Sequence, residues 1–487
     1  MRTNPHILEI NTRAWLARLQ TKHGRAFVLH EIPDEYWQFF KASGFDAIWL
    51  MGIWKKSPKA GEIARQHTDI QAQIRQVNPD FKEEDIVASP YAVYAYETAE
   101  DLGGDESLKI LRQKLNAMGI ALFLDFVSNH TAIDCPFVES DPDLYISTGE
   151  KVPHVHKDWF FQNTKGQWVA HGRDPYFAPW TDTAQLNYFN PKTRDFMIRN
   201  LLKVADMCDG VRCDMAMLSL NKVHRDTWWE FIGGELPRTE FWSEALQAVR
   251  AKYPDFTFIA EVYWGLEWEI QEMGFDYTYD KVLYDRLRFS NSENIRGHLG
   301  AEHLFQMRSI RFTSNHDEEE SLKAFGREKS LAASTIIATL PGARMIYLFQ
   351  MLGRPERVPI QYIRETFEED GQIRAYYEKL LQIASKPAFH GGQWSLTPVG
   401  PVAEEDDSHR NVLCWTWRQM NEASTVLINY SDKPVRCHVK LKAASGEGKY
   451  LLEDFSGVEV LFSEQMQQQG FGVELKPFES KVFSYDI

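Results

Sequence analysis

The chain reads as an α/β protein on a closed (β/α)8 TIM barrel, with a long loop subdomain after the third strand and a C-terminal antiparallel β domain. Three observations predict this. Eight short apolar runs alternate with helical stretches through the first four fifths of the sequence. Four of these runs end in carboxylates, as in Leu122-Phe123-Leu124-Asp125, Val211-Arg212-Cys213-Asp214, Phe258-Ile259-Ala260-Glu261 and Phe312-Thr313-Ser314-Asn315-His316-Asp317. A charge at the tip of a buried strand is costly unless it is paired or used, and a parallel barrel gathers strand tips at the end where barrels keep their chemistry. Beyond residue 391 the pattern changes to short strands broken by Gly, Asp, Ser and Pro, the mark of an all-β module.

Taken in order, strands are expected at Ile7–Asn11, Asp46–Met51, Ala121–Phe126, Gly210–Asp214, Phe256–Glu261, Phe275–Tyr279, Ile310–Ser314 and Arg344–Leu348. Helices are expected at Asp34–Ala42, Glu106–Met118, Lys192–Asp206, Glu240–Lys252, Lys329–Leu340 and Gln372–Ala384. Pro33-Asp34 starts the first and Gly119 stops the second. Two connections are too long to be plain turns: Trp54 to Ser89, helical over Glu62 to Val77, and Thr131 to Pro191, rich in Asp, Pro, His and aromatic residues. Loops of that length in a compact domain are usually functional, and both follow strand C-termini. The resulting division is barrel over 1–130, loop subdomain over 131–190, barrel again over 191–390, and a β-sandwich domain over 391–487. Short strands there are expected at Asn411–Trp417, Thr425–Tyr430, Val435–Lys440, Lys449–Glu453, Val458–Phe462, Gly472–Leu475 and Lys481–Tyr485.

A net charge of −15 argues against nucleic acid or an anionic membrane surface as partner. No signal peptide and no run of transmembrane length is visible. The five cysteines, Cys135, Cys208, Cys213, Cys414 and Cys437, are odd in number and lack CxxC spacing. They read as buried free thiols of a cytoplasmic protein. Aromatic residues make up 13% of the chain, enough to offer stacking faces as well as core. Trp54, Trp168, Trp180 and Trp264 lie on the expected mouth-side loops.

The strand tips resemble, in order, the four signature regions of the α-amylase family of glycoside hydrolases. Asp125-Phe126-Val127-Ser128-Asn129-His130 resembles the first, Gly210-Val211-Arg212-Cys213-Asp214 the second, Ala260-Glu261-Val262 the third and Ser314-Asn315-His316-Asp317 the fourth. Ser89-Pro90-Tyr91, Ala184-Gln185-Leu186-Asn187 and Pro341-Gly342 with Tyr347 and Gln350 add weaker likenesses, so the resemblance covers about residues 5 to 390. It implies a retaining glycosidase acting on α-1,4-linked glucans or maltooligosaccharides, with transglycosylation as the near alternative and a non-catalytic sugar-binding protein as the distant one. It implies Asp214 as nucleophile, Glu261 as acid/base and Asp317 as transition-state stabiliser. Tyr91 would stack on the reacting sugar, His130 and His316 would donate to its hydroxyls, and Asp125 would brace Arg212.

The residues fit this chemistry on their own terms. Glycosidic cleavage needs one carboxylic acid to protonate the leaving oxygen and a second carboxylate at the anomeric carbon. Arg212 and Asp214 are two apart on one strand and so share a face, and a guanidinium there is expected to hold the nucleophile ionised. Glu261 closes an apolar run, a dry setting that suits a general acid.

The sequence also departs from the family. Met217-Leu218 stand where many α-amylases carry Lys-His, and Ala92 follows Tyr91 where exo-acting α-glucosidases carry an Asp that helps close the pocket, which argues against a pure exo-glucosidase. Gln185 stands where calcium-dependent members place an aspartate ligand, leaving Asn129 as the one candidate calcium ligand. One amide oxygen cannot hold an ion that takes six to eight oxygens, so no cofactor is required and calcium stays an open candidate. An unrelated metal-dependent barrel hydrolase is disfavoured, since His154, His156 and His171 have no carboxylate at ligand spacing. Chain-length preference, endo or exo action and oligomeric state are not encoded in these motifs.

Overall fold

Eight parallel strands close the barrel, and we number them β1 to β8: His6–Asn11, Ala47–Met51, Ala121–Val127, Gly210–Asp214, Thr257–Ala260, Tyr277–Tyr279, Ser309–Arg311 and Ala343–Tyr347. The computed structural model describes residues 1–487 apart from 154, 233–234, 365, 442–448, 455–456 and 463–469. Each strand pairs with its sequence neighbour around the ring, and β8 returns to β1 through His6–Arg344 to Glu9–Tyr347. All eight expected strands are present, with β6 and β7 shorter than the apolar runs that announced them.

The inside of the barrel is packed rather than hollow. Ile7, Trp49, Phe123, Ile259, Tyr279 and Phe312 belong to one buried interior cluster. Gly210 at the start of β4 makes room for Phe123, since a Cβ there would lie 2.6 Å from the Phe123 ring and 2.7 Å from the Thr257 carbonyl. The outer layer is larger and more apolar, joining the other strand faces to Trp15, Trp37, Leu108, Leu201 and Trp242 of the surrounding helices.

Both long connections carry structure of their own. After β2 the chain forms helices Pro58–Gln66 and Thr68–Val77. After β3, His130–Ala132 pairs with Thr183–Gln185, and a small sheet runs Ser147–Gly149, Trp168–Ala170, Phe160–Gln162. The C-terminal part has a four-stranded antiparallel sheet, Gln393–Leu396, Val412–Gln419, Glu422–Asn429 and Ser480–Asp486. Val399–Gly400, Val435–Val439 and Phe471–Leu475 form a three-stranded sheet, and Lys449–Asp454 pairs with Gly457–Phe462. Trp415 and Trp417 bury this domain against the helix Arg327–Thr339, where the Trp417 indole donates to the Thr339 carbonyl at 2.7 Å. Among the described residues no helix is long and apolar enough to cross a membrane. All five cysteines are buried and unpaired.

At the bottom of the barrel His6, Asp46 and His390 come together as a buried trio of ligand-type side chains. This cluster is a structural clamp. Arg2 takes both Asp46 oxygens, at 2.6 and 3.1 Å, and the His6 N–H takes one at 2.9 Å. Burial and then Arg344 push His6 well down and His390 down to about 4. The surplus positive charge makes this a poor place for a further cation.

Candidate active site

The register of β3, β4 and β5 brings the chemistry together. Arg212 stands opposite Asp125, and Cys213 stands opposite Ala260, so Asp214 and Glu261 fall at neighbouring strand tips. The Glu261 N–H then donates to the Cys213 carbonyl at 3.0 Å and continues the ladder. Met215 adopts a left-handed backbone, φ +40°, immediately after Asp214. That turn aims its N–H at Glu261 Oε2, 2.8 Å away. Strained backbone of this kind is characteristic of functional positions.

Arg212 is the hub and is 1% exposed. Its Nη1 lies 2.6 Å from Asp214 Oδ1 and 4.0 Å from Asp125 Oδ1, and its Nη2 lies 2.7 Å from Glu261 Oε2. Trp49, Tyr91 and Tyr279 ring it at 5.2 to 5.6 Å, and Tyr279 accepts from Nε at 3.3 Å. Aromatic faces suit a cation held away from water. Tyr263 completes the donors on Glu261, its hydroxyl 2.7 Å from Oε1.

A single guanidinium thus faces three carboxylates in a dry setting. Burial pushes the Asp214 carboxyl up to about 7, against the pull of Arg212 and with Glu261 adding to the rise. Desolvation thus opposes the hold of the one shared cation on the Asp214 charge. Asp125, 2% exposed, is pushed up to about 6 by burial, with Arg212 and His316 pulling the other way.

The fourth tip carries a second charge chain that the sequence reading missed in part. Glu9, fully buried on β1, lies 2.5 Å from His316 Nδ1, and the far nitrogen, Nε2, lies 2.8 Å from Asp317 Oδ2. Burial works against the imidazolium, but Asp317 and Glu9 raise His316 to about 10. Desolvation also opposes charge on Asp317, yet the His316 contact, with Arg212 and Arg357 behind it, holds that carboxyl well below the usual range. Asn315 Oδ1 accepts from the N–H groups of Asp317 and Glu318 at 2.9 and 2.8 Å and fixes the turn. A carboxylate inside the apolar run Ile7-Leu8-Glu9-Ile10 was the available signal for Glu9.

A cavity of about 290 Å³ opens over these groups, lined by Tyr91, His130, Trp180, Asp214, Glu261 and Asp317 among others. The structure brings together Tyr91, Asp125, His130, Arg212, Asp214, Glu261, His316 and Asp317, but not all of them reach the cavity. Asp125 and Arg212 lie beneath its floor. So does His316, which corrects its expected role as a sugar donor. Its side chain has no exposed surface, and the nitrogen that would serve faces Asp317 and the Tyr91 hydroxyl, the latter at 2.7 Å. Burial pushes His130 down to about 4, so it is a neutral ring at the wall, 5.1 Å from Trp180. Of the four loop tryptophans, Trp180 lines the cavity and Trp264 is 40% exposed. Trp54 is buried with its indole on the Asp125 carbonyl, and Trp168 is half-buried in the small sheet. Of the loop histidines, His171 is buried, its Nδ1 3.1 Å from the Thr183 carbonyl, and His156 stacks on Trp159; His154 falls outside the described residues.

The candidate calcium position does not fit the ion. Asn129 and Gln185 pair with each other: Gln185 Nε2 donates to Asn129 Oδ1 and to the Asn129 carbonyl, both at 2.9 Å, and Asn129 Nδ2 donates back to Gln185 Oε1 at 3.2 Å. An amide N–H occupies the direction in which a calcium-binding oxygen would be needed, and among the described residues the hydrogen-bond partners of the pair include no carboxylate. Asn129 is thereby corrected from candidate ligand to partner of Gln185.

Comparisons with known proteins agree on one family. The sequence model described as "Alpha amylase, catalytic domain" matches residues 35–400. The chain is 24% identical over 363 residues to Alpha-amylase 3 of Dictyoglomus thermophilum, covering 70% of this chain and 63% of that one. It is 23% identical over 353 residues to Alpha-amylase MalA of Haloarcula japonica, covering 70% and 47%. It thus spans less than two thirds of the length of these curated relatives. Among solved structures, the noncanonic maltogenic α-amylase AmyB of Thermotoga neapolitana superposes with a TM-score of 0.68 at 18% identity, over 99% of both chains.

Proposed function

The chain belongs to the α-amylase family of glycoside hydrolases, enzymes that act on glycosidic bonds, and from that premise we propose that it is a retaining α-glycosidase. In this reading it hydrolyses α-1,4-glucosidic bonds of glucans or maltooligosaccharides through a covalent glycosyl–enzyme intermediate. The supporting observation is Arg212, whose two Nη atoms reach Asp214 and Glu261 at 2.6 and 2.7 Å. Two carboxylates sharing one guanidinium fit the roughly 5–5.5 Å spacing of retaining sites better than the roughly 6.5–9.5 Å that leaves room for an inverting water.

Asp214 attacks the anomeric carbon while Glu261 passes its proton to the departing glycosidic oxygen. The C–O bond breaks and a glycosyl ester forms on Asp214. Water then attacks the same carbon, Glu261 takes its proton, and Asp214 is released. Asp317, held by His316, faces the cavity and receives the hydroxyls of the reacting ring. The test is a trapping experiment with 5-fluoro-α-glucosyl fluoride. The expected result is one added fluoroglucosyl mass per chain, on the peptide that contains Asp214 and absent in Asp214→Asn. A first-formed product of inverted configuration with no adduct would sink the reading.

Transfer to a sugar hydroxyl is the second reading. Its support is the exposed pair Tyr176 and Trp264, 69% and 40% accessible, with ring centroids 5.1 Å apart, which offer an acceptor a surface to stack on. Products longer than the substrate on incubation with maltoheptaose would mark transfer, and shorter ones alone hydrolysis.

We further propose that no calcium is needed, on the strength of the Asn129–Gln185 amide pair. EDTA should leave the melting temperature within about 1 °C, because a ligand that is not bound contributes no linkage stabilisation. A drop of several degrees that added calcium reverses would refute this. The five buried, unpaired thiols support a reducing, cytoplasmic setting.

A further inference from the structure

The two ends of the cavity are built differently. β1 lies between β2 and β8, and β5 is four strands away in either direction, diametrically across the barrel. Glu261 follows β5, whereas the connections after β2 and β8 lock together over the β1 side. The Val87 N–H donates to the Gln361 carbonyl at 2.8 Å and the Ile363 N–H to the Asp85 carbonyl at 3.1 Å, and Ile86 bridges Tyr362 in antiparallel fashion. Arg364 pairs with Asp85 at 2.8 Å, and Asn78 Nδ2 donates to the Tyr362 hydroxyl at 2.5 Å. Ala64, Ile74, Ile86, Val358 and Tyr362 form a separate buried cluster behind this seam. The seam is therefore a packed wall, and Ser89, Ile360 and Gln361 carry it into the cavity lining.

Sugar geometry gives the wall a direction. The leaving group departs on the side of its proton donor, Glu261. C4, through which an α-1,4 chain continues to its non-reducing end, is across the pyranose ring from C1. A donor chain would therefore have to run into the β2–β8 seam. A volume of about 290 Å³ sits at the lower edge of the roughly 300–1,000 Å³ typical of ligand pockets. The Glu261 side, by contrast, carries the exposed rings of Trp264 and Tyr176.

We propose that the donor arm of this site is blind, so that the enzyme works from non-reducing chain ends, releasing one or two glucosyl units, while the leaving-group arm is open to long chains. The inference rests on the α-1,4-glucosidic reading above and adds where along a chain cleavage falls. Its determinants are the Trp54–Ser89 connection after β2 and its seam with residues 358–364, a feature of loops and not of the strand-tip motifs.

The test compares 4-nitrophenyl α-maltoheptaoside with the same compound blocked by a 4,6-ethylidene group on its non-reducing sugar. The expected result is that the blocked compound is cleaved at least about tenfold more slowly, and that glucose or maltose is the first product from the free one. A ratio below about tenfold overturns the proposal and leaves the glucosidic reading standing. No cleavage of either compound overturns the glucosidic reading, and the proposal with it. Loosening the seam with the Asp85→Ala/Arg364→Ala double variant, neither residue lining the cavity, should raise turnover of the blocked compound at least about threefold relative to the free one. Turnover of 4-nitrophenyl α-glucoside should stay at the wild-type level in this variant and report that it is folded. A folded double variant with the wild-type ratio would count against the seam as the cause.

Discussion

Glu261→Gln slows cleavage of maltooligosaccharides by about 10³–10⁴-fold, at the upper end of what a positioned general acid contributes, while α-glucosyl fluoride stays within about tenfold of wild type. The contrast follows from the leaving groups. A sugar alkoxide needs a proton as the bond breaks and fluoride does not, so only the first reaction loses the acid. Glutamine is the informative replacement because it can keep the local contacts. Its carbonyl oxygen can accept from the Met215 N–H, now 2.8 Å from Glu261, and its amide can donate to the Tyr263 hydroxyl, now 2.7 Å away. Folding should not suffer, since the change relieves a cluster in which one guanidinium faces Asp125, Asp214 and Glu261. The measurement is kcat/KM for both substrates with a melting curve alongside. Equal slowing of the two would remove Glu261 from the acid role.

The barrel was readable because its strands obey a simple rule. Each is a short apolar run buried on both faces, and such runs stand out against amphipathic helices. The shortening of β6 and β7 falls at opposite ends: β6 starts at Tyr277, two residues after the expected Phe275, and β7 stops at Arg311 although Phe312, Thr313 and Ser314 that follow are apolar or small and give no stop signal. The first helix, Thr12–His23, was overlooked although its signals are present. Asn11 caps it by accepting from the Ala14 N–H, Gly24 ends it at φ +69°, and Trp15, Leu16 and Leu19 give it a buried stripe. Arg13, Arg18, Lys22 and His23 interleave with that stripe and mask its apolar face in the sequence. The insertion after β2, read as one helical stretch from Glu62 to Val77, is two helices broken at His67.

The acids at the tips of β3, β4, β5 and β7 were legible for an energetic reason. A carboxylate that ends a buried strand demands an explanation, and four of them pointing to one rim suggest a common one. What the residue types cannot convey is which groups share a partner. That Arg212 reaches two acids at once, that Asp214 is pushed up to about 7, and that His316 turns away from the cavity toward Glu9 and Asp317 all depend on distances and burial. The seam between residues 85–87 and 361–364 is of the same kind. Neither segment carries a motif, and their meeting is visible only once the loops are folded.

Glu9→Gln removes the charge that holds this second chain in place, and the expected cost is about 3 kcal/mol of stability, the scale for breaking a buried ion pair. His316 has a folded value raised to about 10 against 6.5 for the free side chain. A raised value contributes stability that is fully present below about pH 6.5 and is lost as the pH climbs through about 10. Without Glu9, only Asp317 remains to favour the imidazolium against burial, so the folded value falls toward the free one, and the stability lost above about pH 6.5 is smaller and is complete at a lower pH. For this group the wild-type melting temperature should therefore decline from about pH 6.5 toward about 10, whereas the variant starts lower and stays nearly flat over the upper part of that range. Asp317 works in the opposite sense. Its lowered value contributes stability above about pH 4 that is lost as the pH falls, and this acid limb should be unchanged because His316 is charged there in both proteins. Activity should follow the same logic. Once His316 is neutral it no longer holds the Asp317 carboxylate at 2.8 Å, so the alkaline limb of kcat should shift toward neutrality in the variant. If the alkaline limbs of stability and kcat coincide in variant and wild type, Glu9 is only a packing residue, and the charge chain from β1 to the tip of β7 has no part in the chemistry.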